Sequence, residues 1–113
     1  MELAEARGYD TDFYVTPLNT LRIYCEYEAA VLAINRTPKT VIAIKTLGGG
    51  ARLAPGDGLT VAYASLKPGD IVAVGMENEE CAAGNARTAE ELLSVLAPRR
   101  VREVVSAVAA PRG

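Results

Sequence analysis

Three consecutive glycines form the segment whose residue types most directly predict a binding site. Gly48, Gly49 and Gly50 lie between two basic residues, Lys45 and Arg52. Glycines allow several backbone N–H groups to converge on one anion, and flanking cations add favourable charge. The segment therefore predicts a site for a phosphate or carboxylate group. It matches neither the P-loop nor the dinucleotide-binding fingerprint, and a flexible hairpin loop is the simpler explanation of such a run.

Two aspartates occur at the same place in a repeated turn unit. Asp57 and Asp70 each close a Pro-Gly-Asp sequence, which is typical of a type II turn. Two carboxylates that lie close together can divide general acid and general base roles. An Asp side chain in a turn can instead bond to local backbone, and that explanation does not require the two residues to be neighbours. We therefore interpret both as structural.

Charged clusters near the end of the chain also have structural explanations. The acidic residues within 77–80 offer oxygen ligands of the type that Mg²⁺ and Ca²⁺ prefer, but their spacing differs from that of an EF-hand loop. Arg99, Arg100 and Arg102 could hold a phosphate, or they could lie favourably at the C-terminal end of a preceding helix. We prefer to interpret the acidic residues as a solvated loop and the arginines as a helix cap. We predict no metal site and no cofactor.

The two cysteines show no sign of an activated thiolate. Cys25 lies on the apolar face of a predicted strand, and Cys81 follows two glutamates, whose charge suppresses thiolate formation. We interpret both as structural, and whether they pair with each other is left open.

Tyrosines near the start of the chain raise the hypothesis of nucleic-acid binding. Tyr24 shares a predicted strand face with Arg22, which suits base stacking beside a cation. Glu26 and Glu28 extend the same segment and would repel phosphate. We therefore favour packing for the aromatic residues and regard nucleic acid as a disfavoured partner.

Composition excludes several catalytic classes. The chain of 113 residues contains no His, which removes the commonest general base and the commonest transition-metal ligand. The formal net charge of −2 provides no global attraction for nucleic acid or an acidic membrane. No apolar stretch is long enough to span a bilayer and no signal peptide is evident, so we expect a cytoplasmic protein. The scarcity of amide side chains is compatible with a thermophilic source.

Apolar alternation predicts a strand-rich domain. Residues 21–27 alternate in hydrophobicity, as half-buried strands do, and residues 30–34 and 40–46 are apolar runs that would form a hairpin. A possible capping box at Thr88 predicts one helix over 88–97, ended by Pro98. The predicted strands are 12–15, 21–27, 30–34, 40–46, 59–64, 71–74 and 101–108.

A helix from Thr16 or Pro17 to Asn35 is the alternative for the front of the chain. On a helical wheel, however, Leu21, Ile23 and Tyr24 spread the apolar residues around the circumference, so we prefer strand for this segment.

Together these patterns predict a single α+β domain over 1–113, with 1–11 as a loose arm or short helix. We expect a curved antiparallel sheet or partly open small barrel of about six short strands, with an α/β layered domain as the alternative. The predicted function is a small binding or assembly module, self-associating or holding a protein partner or anionic ligand. The alternatives are a His-independent enzyme that uses Lys45, Asp57 and Asp70, and a nucleic-acid-binding barrel.

Overall fold

A three-stranded parallel sheet forms the centre of the computed structural model of this chain. Strand β1 spans Phe13–Pro17, β2 spans Thr40–Ile44 and β3 spans Ile71–Val72. The order across the sheet is β1-β2-β3, so β2 pairs with both neighbours. Because parallel strands need long crossover connections, a helix lies between each pair of consecutive strands. The result is a small α+β domain with an open sheet.

Four helices accompany the sheet in the part of the chain that the structure describes. Helix α1 spans Glu2–Ala6, α2 spans Tyr27–Arg36, α3 spans Pro55–Ser65 and α4 spans Glu79–Ala109. The structure describes residues 1–50 and 52–109, with side chains up to residue 96. Among the described residues, none of the helices combines the length and the apolar character needed to cross a membrane.

An apolar stripe explains why α2 forms where it does. Tyr27, Ala30, Val31 and Ile34 recur at the spacing of one helical face, and all four belong to the core or pack against it. Opposite them on the sheet lie residues that point to the same side of their strands: Tyr14, Val41, Ala43 and Val72. The core therefore lies between this face of the sheet and α2.

Helix α3 lies beside α2. The hydroxyl groups of Tyr27 and Ser65 are 3.0 Å apart, and the Asn35 amide donates to the Ser65 carbonyl at 2.9 Å. Helix α4 packs in turn against α3. Asn78 precedes α4, and its side-chain oxygen accepts a hydrogen bond from the Cys81 N–H at 2.8 Å, which caps the helix.

The turn before β3 is held by a buried carboxylate. The Asp70 side chain is 1% exposed and accepts hydrogen bonds from the Val41 N–H at 2.9 Å and from the Lys67 N–H at 3.1 Å. It also forms an ion pair with the Lys67 ammonium at 2.9 Å. Gly69 has φ +89° and the Asp70 N–H donates to the Lys67 carbonyl, which confirms the turn predicted here. One side chain thus ties this turn to the start of β2.

Helix α1 is joined to the end of α2 by a carboxylate. The Thr37 hydroxyl donates to Glu5, and this hydrogen bond lowers the pKa of the Glu5 carboxyl below its ordinary value, with a further lowering from the Lys39 charge. An exposed ion pair between Arg36 and Glu2 adds a second connection.

The predicted antiparallel sheet or barrel is wrong. Over residues 1–50 and 52–109 there are three parallel strands instead of about six, and four helices instead of one. The segments 30–34 and 59–64, predicted as strands, lie in α2 and α3. Continuous apolar runs of this length do not distinguish a buried strand from a buried helix face, which is the reason for both errors. The hairpin between 30–34 and 40–46 is therefore absent.

Two further predicted strands are also wrong. Residues 21–26 form a loop in which Arg22 and Tyr24 have φ near +60°. Left-handed backbone interrupts the extended conformation that a strand needs, so the apolar alternation of this segment does not correspond to a strand. Residues 101–108 belong to α4, which begins well before Thr88 and continues past Pro98. Inside this helix the Thr88 hydroxyl donates to the Gly84 carbonyl at 3.0 Å instead of capping a new helix.

The two aspartates of the Pro-Gly-Asp units provide a matched test of the hydrogen bonds by which Asp70 ties its turn to β2. We call this set of bonds the Asp70 clamp. We expect Asp70→Ala to lower the free energy of unfolding by about 2 kcal/mol, because it leaves the Val41 and Lys67 amides without an acceptor. Asp57→Ala, at an exposed position in the first turn of α3, should cost less than about 1 kcal/mol. Urea denaturation of both variants measures the difference, and equal losses would contradict the assigned role of Asp70.

Candidate functional site

A cleft lies at the carboxyl edge of the sheet. In open parallel sheets the loops that leave the carboxyl ends of the strands meet at one edge, where ligands commonly bind. Here those loops are residues 18–26 after β1, 45–50 with 52–54 after β2, and 73–78 after β3. The second and third loops enclose a cleft of about 590 Å³.

The cleft has an apolar interior with charge at its sides. Lys45 comes from the loop after β2, and Glu77 comes from the loop after β3. Backbone from Gly49, Gly50 and Gly75 completes the wall. The apolar lining consists of Ile44, Leu47, Ala73, Val74 and Met76. This combination suits a small molecule with an apolar body and a charged group.

The glycine loop turns sharply through left-handed backbone. Gly48, Gly49 and Gly50 have φ values of +85°, +76° and +89°. A Cβ at Gly48 would stand 2.9 Å from Leu21 Cδ1 and 3.2 Å from Arg52 Cβ, so this position has no space for a side chain. The loop after β1 packs so closely on Gly48 that only glycine fits at this position.

Backbone donors of the glycine loop are available to a ligand. The Gly48 N–H donates to the Lys45 carbonyl at 2.9 Å, whereas the Gly49 and Gly50 N–H groups have no acceptor within the described part of the chain. Both of these residues line the cleft. Unpaired amides beside a cation are the groups that bind phosphate and carboxylate oxygens in other loops of this kind.

A buried asparagine holds Lys45 in place. Asn19 is 1% exposed, and its amide nitrogen donates to the Lys45 carbonyl at 3.1 Å and to the Ile23 carbonyl at 3.0 Å. Its side-chain oxygen accepts from the Ile23 N–H at 3.0 Å. Lys45 itself has φ +55°, a conformation that non-glycine residues rarely adopt. Asn19 therefore fixes both the first loop and the strained end of β2.

Lys45 is available for interaction with a ligand. It is exposed, and among the described residues its ammonium group takes part in no ion pair. Beneath it, Thr46 is 2% exposed and its hydroxyl has no hydrogen-bond partner in the described structure. Glu77 places a negative charge in the same cleft and opposes the binding of an anion.

The residues predicted for the anion site are brought together in part. Lys45, Gly49 and Gly50 line the cleft, and Gly48 supports the loop. Arg52 packs its side chain beside Gly48 but lies outside the cleft lining. The predicted ligand set of Lys45, Gly48, Gly49, Gly50 and Arg52 thus stays a prediction, with the first four at one place in the fold.

The carboxylates considered for catalysis lie far apart in the architecture. Asp57 is in the first turn of α3, which follows the carboxyl end of β2, whereas Asp70 is buried before the amino end of β3. Neither lines the cleft that holds Lys45. The three residues proposed for a small enzyme are therefore not assembled into one cleft.

The acidic segment contributes a helix cap, and the two cysteines are not paired with each other. Asn78 caps α4, and no group of three His, Cys, Asp or Glu side chains among the described residues could hold a metal ion. Cys25 makes a weak bond to the Asn19 carbonyl at 3.6 Å, Cys81 is exposed, and both thiols are free. The side chains of Arg99, Arg100 and Arg102 lie outside the described residues.

The front aromatics do not share one surface, since Tyr14 and Tyr27 pack against the core. Tyr24 is 78% exposed, and its ring edge lies 4.0 Å from where a Cβ on Gly49 would stand. Arg22, predicted as its cationic neighbour, forms an ion pair with Glu28 at 2.5 Å. Phe13 lies on the sheet.

Sequence reasoning missed Asn19, Thr46 and the apolar part of the loop after β3, residues 73–76. The usable signal was the place of these residues in the sequence, because each follows a strand and the carboxyl ends of parallel strands lie at one edge of a sheet. It could be used only if the sheet was known to be parallel.

Known proteins give no further guidance. No protein-family model, no curated protein and no solved structure matches the chain.

A glycine in α3 controls how closely this helix approaches the cleft. A Cβ at Gly58 would stand 2.6 Å from both the Thr46 carbonyl oxygen and Leu47 Cδ2. We expect Gly58→Ala to lower the free energy of unfolding by about 2 kcal/mol, because the backbone contact cannot relax without moving the helix. Chemical denaturation provides the measurement.

Gly56→Ala is the matched control, since it lies in the same helix and a Cβ there meets no atom within 4 Å. It should change stability by less than about 1 kcal/mol. A Gly58→Ala variant as stable as this control would show that α3 does not pack tightly on the strand end.

Proposed function

We propose that this protein is a small ligand-binding module that holds an anionic small molecule in the cleft at the carboxyl edge of the sheet. The observation that carries the proposal is that Lys45 and the amides of Gly49 and Gly50 lie on one wall of the cleft, and that none of them has a partner within the described residues. The cation neutralises the ligand charge and the two N–H groups orient its oxygens.

The remainder of the cleft defines the class of ligand. Leu47, Val74 and Met76 contribute apolar surface, so the ligand carries a carboxylate or phosphate on an apolar body. Glu77 disfavours a second negative charge near the opposite wall. A singly anionic compound of small size is therefore the expected occupant.

The two alternative functions receive less support. An enzyme using Lys45 with Asp57 and Asp70 would need these groups in one cleft, and Asp70 is buried in a structural clamp at the other end of the sheet. The nucleic-acid-binding barrel depended on a curved antiparallel sheet, which the parallel topology replaces. Cytoplasmic location and a thermophilic source remain predictions from the sequence.

The test is a titration of the full chain with inorganic phosphate and with butyrate at constant ionic strength, followed by amide NMR. We expect the Gly49 and Gly50 resonances to shift in a saturable manner. Lys45→Ala should weaken the affinity about tenfold, because it removes one charge-assisted hydrogen bond. Glu77→Gln should strengthen the affinity, because it removes a like charge.

Arg87→Ala is the control, since it removes one exposed cation from α4 and leaves the same net charge as Lys45→Ala. Its affinity should equal that of the parent protein. If Arg87→Ala and Lys45→Ala weaken binding equally, the anions respond only to net charge and the proposed site is rejected. The absence of any saturable shift with both anions would reject it as well.

A further inference from the structure

The cleft at the carboxyl edge of the sheet carries charges of opposite sign on its two loops. Lys45 comes from the loop after β2, and its Cδ lies 3.9 Å from the point where a Cβ on Gly49 would stand, so its side chain follows the glycine loop. Glu77 comes from the loop after β3. Both side chains are exposed, and neither forms an ion pair within the described part of the chain. The cleft therefore offers a cation and an anion that are not paired with each other.

The rest of the cleft lining is largely apolar. Ile44 and Leu47 contribute to it from the side of β2, and Val74 and Met76 contribute from the side of β3. Two opposite charges beside hydrocarbon side chains are complementary to a ligand whose own charged groups are separated by a hydrocarbon segment. A ligand with one charged group uses only half of this arrangement.

Charged residues just outside the lining have the same polarity as the two loops. Arg52 packs beside the glycine loop on the basic side. On the acidic side, Glu79 and Glu80 lie in the first turn of α4, directly after the loop that carries Glu77. Charges of one sign on each loop produce an electric field across the cleft. This field directs the anionic end of a ligand to the loop after β2 and a cationic end to the loop after β3.

We propose that the ligand of this cleft is a small zwitterion, with its carboxylate or phosphate at Lys45 and an ammonium group at Glu77. The inference rests on the function proposed above, which places the anionic group at Lys45, Gly49 and Gly50. It adds the other end of the ligand, because an ammonium group forms a charge-assisted hydrogen bond with the Glu77 carboxylate. Amino acids whose two charged groups are separated by a short hydrocarbon chain belong to this class.

The effect of Glu77 decides between a zwitterion and a simple anion. A simple anion gains from the charge of Lys45 and loses from the charge of Glu77, so the two side chains act against each other. A zwitterion gains from both, since each of its charges meets the opposite charge in the cleft. The position of Glu77 in the lining thus favours a ligand that carries an ammonium group.

Pairs of probes with the same shape test the ammonium group. β-Alanine and butyrate differ only in an ammonium group that replaces a methyl group, and γ-aminobutyrate and pentanoate form a longer pair of the same kind. Each probe is titrated into the full chain at constant ionic strength, and the Gly49 and Gly50 amide resonances are followed by NMR. In at least one pair we expect the amino acid to bind about tenfold more tightly than the fatty acid, because it gains one charge-assisted hydrogen bond.

Glu77→Gln should remove this preference, and it should also strengthen the binding of the fatty acid. Opposite effects on two ligands of the same shape do not arise from a loss of folding or from a change in the size of the cleft. Glu90→Gln is the matched control, since it removes one exposed carboxylate from α4 outside the cleft lining. It should keep the preference of the parent protein.

The inference is overturned if neither amino acid binds more tightly than its fatty acid, or if the preference survives in Glu77→Gln. Equal loss of the preference in Glu90→Gln would overturn it too, because the probes would then respond only to net charge. Saturable binding of the fatty acids alone would leave the anion site at Lys45 in place, so the two proposals fail separately. No saturable shift with any probe would reject both.

Discussion

Parallel pairing of β2 with both of its neighbours is the constraint on which the rest of this structure depends. It requires a crossover helix after each of the first two strands. Each helix returns the chain to the amino edge of the sheet, so the loops that leave the strands all lie at the carboxyl edge. As a consequence, α2 and α3 lie side by side over the core, and the loops after β2 and β3 meet around one cleft. The cleft is thus a product of topology before any particular side chain is considered.

The two ends of β2 are held by buried polar side chains that come from distant parts of the chain. At its start, Asp70 accepts the Val41 N–H; beyond its end, Asn19 donates to the Lys45 carbonyl. Both residues are almost fully buried, and both satisfy backbone groups that the short sheet leaves without a ladder partner. A sheet whose third strand has only two residues is stabilised in this way by side chains as well as by strand pairing.

The sequence predicted a few local features correctly and their arrangement incorrectly. The turn at Gly69 and the apolar strand around Val41 depend on a few neighbouring residues, and both are confirmed. The matching turn predicted at Pro55-Gly56-Asp57 is wrong, because Pro55 begins α3. The direction of the strands was wrong because residues 30–34 and 59–64 were interpreted as strands, which left no crossover helices and required antiparallel pairing. The wheel that argued against a helix began at residue 17 and included loop residues, whereas the stripe from Tyr27 to Ile34 appears only when the wheel starts at Tyr27. Asn19 could not be recognised, because its importance comes from a hydrogen bond to a residue 26 positions away.

Left-handed backbone at three non-glycine residues has a consequence for how this domain opens. Arg22, Tyr24 and Lys45 all belong to the loops at the carboxyl edge, and each such conformation costs ~1 kcal/mol or more. The amino edge, with the buried Asp70 clamp, carries no comparable strain among the described residues. We therefore expect conformational fluctuations to start in the loops at the carboxyl edge, where amide hydrogens should exchange with solvent before those of the turn held by Asp70. A ligand bound in the cleft would therefore slow amide hydrogen exchange selectively in the loops at the carboxyl edge.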